Sequence, residues 1–145
     1  MSIWRYLFAA SAVLFVIGIV AQIFLAGLGL PGLGGGGMQT HIDFGYTLSL
    51  APIVPLVLAW PARAGRRTIV MCAVLLVLTF VQTLLPSAAA GRGDIPWIAA
   101  LHPINAFIVL GLGIAVSRRA LALARVDDEI SAAPMDESVA ATPQP

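Results

Sequence analysis

The chain has 145 residues, of which 59% are hydrophobic and only 10% charged. An ordinary soluble domain carries about 25% charged residues, so a soluble globule of this size is excluded and an integral membrane protein is expected. The net charge of +1 and the lack of any long basic, aromatic-interleaved run give no reason to expect nucleic acid as a partner; the expected partner is the lipid bilayer.

A helix needs about 20 mostly apolar residues to cross the hydrocarbon core. Four segments meet or approach that length: residues 3–27, 42–60, 68–85 and 96–117. Clusters of Gly and Pro punctuate them. The expected architecture is an all-α, up-down four-helix membrane bundle over residues 1–120, built from a duplicated two-helix hairpin. The first segment has Arg5 ahead of it, as a signal peptide would. Its uncharged run from Tyr6 to Leu30 is too long for a signal core of about 7–15 residues, so it reads as an uncleaved span.

Arginine placement sets the orientation. Arg5, Arg63, Arg66, Arg67, Arg118, Arg119 and Arg125 fall on one side of the four spans, and only Arg92 on the other. The positive-inside rule then puts both termini in the cytoplasm, in a multi-pass protein of the plasma membrane. Trp4 and Trp60 mark the inner interface and Trp97 the outer one. Residues 126–145 carry five of the seven acids and three prolines, a composition expected to remain a disordered tail.

Along this frame the two histidines hold matching places. Gln22 is followed after 19 residues by His41, and Gln82 after 20 by His102. All four lie near the outer ends of their spans, at about the same depth. Ionisable residues at membrane depth are costly and are read as functional, with a partner named; here each histidine is the other's expected partner. In an up-down bundle the second and fourth spans face each other across a diagonal. Neighbouring helices 8–10 Å apart make that diagonal roughly 11–14 Å, a gap expected to keep the two rings from touching without a filler. A flat macrocycle with an imidazole on each face of its metal suits it.

Other residues fit such a site. Gly45 and Ala106, each four positions after a histidine, lie one turn deeper on the same helix face. Small residues there leave room for a cofactor, and equally allow cofactor-free helix packing. Asn105 is a local candidate partner for His102. Asp43 sits two residues after His41, on a different helix face, and reads as a solvated surface acid. Pro52 and Pro55 are expected to kink the second span. Pro103 is expected to open the spanning part of the fourth, with residues 97–101 a separate interfacial turn.

The Gly34–Gly37 run lacks the Lys-Ser or Lys-Thr and the preceding strand of a phosphate-binding loop. Cys72, alone in an apolar run, reads as a small hydrophobe. No Ser-His-acid set, zinc-spaced cluster or pair of buried carboxylates is visible, so no catalytic residue is assigned.

The Gln22-Ile-Phe-Leu25 segment, His41, and Leu101-His102-Pro103-Ile104-Asn105-Ala106 resemble a family of small four-span bacterial membrane proteins of unknown function, over about residues 3–120. More distantly, the layout is similar to one half of haem A synthase, which has two four-helix bundles with histidines on their second and fourth helices. That likeness implies His41 and His102 as axial ligands of one b-type haem, with Gln22, Gln82, Gly45, Asn105 and Ala106 lining it. The enzyme's second bundle and its glutamate beside the histidine are missing here, so haem A synthesis is not implied.

Three readings follow. One is a bis-histidine haem b bundle in electron transfer or haem handling. Another is a cofactor-free structural or assembly protein whose His and Gln residues hydrogen-bond between helices. The third is a small transporter or a quinone- or lipid-binding subunit, disfavoured by the lack of charge near the midplane.

Overall fold

In a computed structural model the described residues are 3–30, 37–90 and 96–132. They form five helices and no strand: α1 (Ile3–Leu28), α2 (Gly37–Leu50), α3 (Ile53–Leu58), α4 (Arg66–Ala90) and α5 (Pro96–Ala132). Four segments are long and apolar enough to cross a membrane: Ile3–Leu28, Gly37–Leu58, Arg66–Pro86 and Trp97–Val126. The second consists of α2 and α3 together. As expected, it breaks at Pro52: α2 stops at Leu50, and Pro52 stands immediately ahead of α3, whereas Pro55, also expected to kink the span, lies within α3.

α1 packs against α2, α3 and α5, while α4 packs against α2, α3 and α5. α5 contributes most widely, burying Ile98, Asn105, Val109, Val116, Ser117, Ala120 and Ala124. Of these, Val109, Val116, Ala120 and Ala124 join Phe8, Ala12, Phe15 and Ile19 of α1 and Cys72 and Leu75 of α4 in one core cluster. Gly113 permits close approach, since a Cβ there would lie 3.3 Å from the Val16 side chain. Large apolar side chains point outward along every span, among them Leu14, Phe24, Val57, Leu84 and Phe107. An apolar exterior of that extent is incompatible with water and suits lipid.

Three buried hydroxyls are satisfied within their own helices, as a membrane interior demands. Ser49 donates to the Tyr46 carbonyl (2.7 Å), Thr79 to Leu75 (2.7 Å) and Ser117 to Gly113 (2.9 Å). At one end of the molecule, Arg5 reaches the carbonyls of Ala62 and Leu123, each at 3.4 Å. It thereby ties α1 to the α3–α4 connection and to α5. That connection turns through Arg63 (φ 54°) and Gly65 (φ 79°), left-handed backbone that glycine adopts without strain.

Four boundaries differ from expectation. α2 starts at Gly37 and not at residue 42, so the last glycine of the Gly34–Gly37 run is already helical. α4 continues through Pro86 to Ala90 instead of ending at Leu85; Ser-Ala-Ala-Ala follows the proline, and alanine is the strongest helix former. Pro103 lies inside α5, so residues 97–101 are part of that helix and not a separate turn. The proline forfeits one helical bond to the Ala99 carbonyl, and Ala99 is exposed. α5 also runs on through Ala132, so the first residues of the acidic segment are helical, continuing the Ala-Leu-Ala-Leu-Ala-Arg run before them. The remainder, 133–145, lies outside the described residues, as do Gly34–Gly36 of the glycine run.

Candidate histidine site

Both hairpins close on the same reciprocal clasp. In the first, His41 Nδ1 lies 3.0 Å from the main-chain carbonyl of Gln22, and Gln22 Nε2 donates to the carbonyl of His41 at 2.6 Å. In the second, His102 Nδ1 lies 3.0 Å from the Gln82 carbonyl, and Gln82 Nε2 donates to the His102 carbonyl at 2.9 Å. Each pair therefore joins two consecutive spans by two bonds, one from each residue's side chain to the other's backbone.

The clasp fixes the chemistry of the rings. A carbonyl oxygen only accepts, so each Nδ1 carries the proton in its bond, and each neutral ring is left with an unprotonated Nε2. The two rings lie with centroids 6.2 Å apart and planes at 76°. The expectation that the diagonal would keep them apart is thus corrected: the imidazoles extend inward from both helices and close the gap. Neither ring makes another hydrogen bond among the described residues. Two unprotonated Nε2 atoms cannot hydrogen-bond to each other, because both are acceptors.

Pro86 is a part of this site that spacing and composition did not reveal. In a helix the carbonyl of Gln82 would bond the N–H of residue 86. Proline has none, so the Gln82 carbonyl is freed for His102. The signal was available as a proline four residues after a glutamine at a span's end. At the corresponding place in the first hairpin stands Ala26, whose N–H remains available to the Gln22 carbonyl within α1.

Asn105 acts differently from expectation. It is buried and donates to Gln82 Oε1 (2.7 Å) and to the Leu78 carbonyl (2.9 Å), so it holds the glutamine and not His102. Phe44 stands at the corresponding position after His41, and Gln22 Oε1 is buried without a hydrogen-bond partner. An unsatisfied buried acceptor costs about 1–3 kcal/mol.

The small residues are also accounted for locally. A Cβ on Gly45 would lie 2.6 Å from Gln22 Nε2, so glycine there makes room for the clasp itself. Ala106, half-buried, occupies the equivalent place in the second hairpin. Asp43 is exposed and accepts from Gln39 Nε2 at 2.9 Å. Cys72 is buried in the core as a free thiol. No group of three or more His, Cys, Asp or Glu side chains able to hold a metal ion occurs among the described residues.

A metal held by two imidazoles alone among protein ligands is the arrangement of a bis-histidine haem, and the spacing of the ring centres is compatible with it. Metal–nitrogen bonds of about 2.0–2.1 Å, with about 1.1 Å from each nitrogen to its ring centroid, place two axial rings roughly 6.3 Å apart. The observed separation is 6.2 Å. The same value lies within the range of about 4.5–7 Å for directly packed aromatic rings.

No curated protein and no solved structure matches the chain, and no link to haem A synthase is shown. Residues 22–90, a stretch that includes Gln22, His41 and Gln82 but stops short of His102, match a family of unknown function, DUF6220.

Proposed function

We propose that the chain is a bis-histidine, b-type haem-binding membrane protein serving electron transfer or haem handling, with His41 and His102 as axial ligands. The observation that carries this reading is the pairing of two rings at 6.2 Å whose Nδ1 atoms are both committed to backbone carbonyls. This leaves each ring with an uncommitted Nε2 lone pair. A hydrogen bond from the far nitrogen to a carbonyl is how ligating histidines are oriented and made more basic.

Bound haem would supply one-electron redox chemistry. The chain's own residues hold and orient: Gln22 and Gln82 lock the ring tautomers, Asn105 fixes Gln82, and the apolar spans exclude water. The frame for this is an up-down four-helix bundle of two like hairpins. The arginine distribution supports both termini facing the cytoplasm of a bacterial cell.

A cofactor-free reading is favoured by one specific feature. The clasps already join α1 to α2 and α4 to α5, and edge contact between the rings then serves as interhelical packing. An absorption spectrum of the detergent-purified protein, produced with ample haem and recorded oxidised and dithionite-reduced, separates the two. The haem reading expects a Soret band with sharp α and β bands on reduction. A folded, helical protein with a flat visible spectrum would falsify it.

A further inference from the structure

The two histidines are built alike in sequence but not in support. Three independent features favour His102. Its acceptor, the Gln82 carbonyl, is released from the helix ladder by Pro86, whereas the Gln22 carbonyl that receives His41 remains within reach of Ala26. The glutamine that clasps His102 is itself held by Asn105, whereas Gln22 Oε1 has no partner. Finally, His102 stands on α5, which buries seven residues between Ile98 and Ala124, whereas α2 buries a single residue, Ser49.

We infer that His102 is the fixed ligand of the site and His41 the displaceable one, so that the α2 side admits a small neutral exogenous ligand such as a diatomic gas. This rests on the haem reading above. Displacement requires His41 Nε2 to withdraw and the incoming molecule to donate a lone pair in its place, with no electron or proton exchanged. α2 can yield alone: it ends at Leu50, and the Ala51–Pro52 break separates it from α3, so movement of the His41 turn need not carry the rest of the span. Elements of few buried contacts open at lower free energy than those seated in a core.

The test uses the full chain with haem supplied, the variants His41→Ala and His102→Ala, and carbon monoxide as the probe. Haem per protein after purification, and the reduced spectrum with and without the gas, are the readouts. The inference expects His41→Ala to retain most of its haem and bind carbon monoxide readily, and His102→Ala to lose at least tenfold of its haem. A parallel measurement does not depend on loaded variants. Amide hydrogen exchange on the wild-type apoprotein should be at least tenfold faster over residues 41–48 than over 102–109. Variants that lose haem equally, or equal exchange in the two segments, overturn the inference while leaving the haem reading intact. A wild-type chain that takes up no haem overturns the haem reading and this inference with it.

Discussion

The two hairpins carry the same clasp with unequal workmanship around it, and the contrast separates what the clasp requires from what merely helps it. Both keep the Gln side chain on the His carbonyl and the His Nδ1 on the Gln carbonyl. Only the second adds Asn105 and the proline that frees Gln82. Only the first requires glycine beneath the glutamine, and it leaves a buried oxygen unpaired. A clasp can therefore form without its glutamine being fully satisfied. What differs is the cost of disturbing it.

The sharpest way to break the comparison is to remove each glutamine in turn. Gln82→Leu deletes the bond to His102 and strips Asn105 of one acceptor, an expected loss of about 1–3 kcal/mol. Gln22→Leu deletes the matching bond to His41 but also removes the unpaired Oε1, and these effects oppose each other. Its expected cost is under about 1 kcal/mol, because interhelical hydrogen bonds in membranes average about 0.6 kcal/mol. Equilibrium unfolding in mixed detergent measures both. Equal losses would mean that Asn105 contributes nothing beyond its bond to Leu78.

The spans and the breaks at Pro52 were legible because composition and proline chemistry act locally. Gln22, His41, Gln82 and His102 stood out because polar residues at the ends of apolar runs need partners. What the sequence did not disclose were choices between competing acceptors. Asn105 is one turn from His102 and equally able, on spacing alone, to bind it; the approach of α4 gives it Gln82 instead. Pro86 reads as a helix end by its local preference, yet α4 continues past it, and the carbonyl it frees is used across the hairpin. The diagonal estimate failed for a related reason: helix spacing constrains axes, while two imidazoles on facing helices extend well inside that spacing.

Gly45→Ala offers a smaller but more specific probe. Replacing a helical glycine by alanine gains about 1 kcal/mol in propensity. The added methyl, however, would stand 2.6 Å from Gln22 Nε2 and push it off the His41 carbonyl. Net stability should change by less than about 1 kcal/mol, since the lost bond is of similar size. The informative quantity is coupling: in the Gly45→Ala background, Gln22→Leu should cost nothing further, because the bond it removes is already gone. A full additive cost would show that the glycine serves something other than the clasp, such as space for a cofactor.

The gentlest change should move the first hairpin toward the second. Phe44→Asn places a donor three residues after His41, the position that Asn105 occupies relative to His102, where it can reach for the unpaired Gln22 Oε1. Satisfying that oxygen should raise stability by about 0.6 kcal/mol, less whatever contact the half-buried phenyl ring of Phe44 gives up. Because the two terms are of similar size, the sign in the wild-type background decides little by itself. In the Gln22→Leu background the acceptor is gone, so only the loss remains, and the same Phe44→Asn substitution should then destabilise. The difference between the two backgrounds isolates the new bond. If it is zero, the unpaired oxygen of Gln22 is out of reach of position 44, and the asymmetry between the hairpins lies in the backbone path of α2 and not in the identity of one side chain.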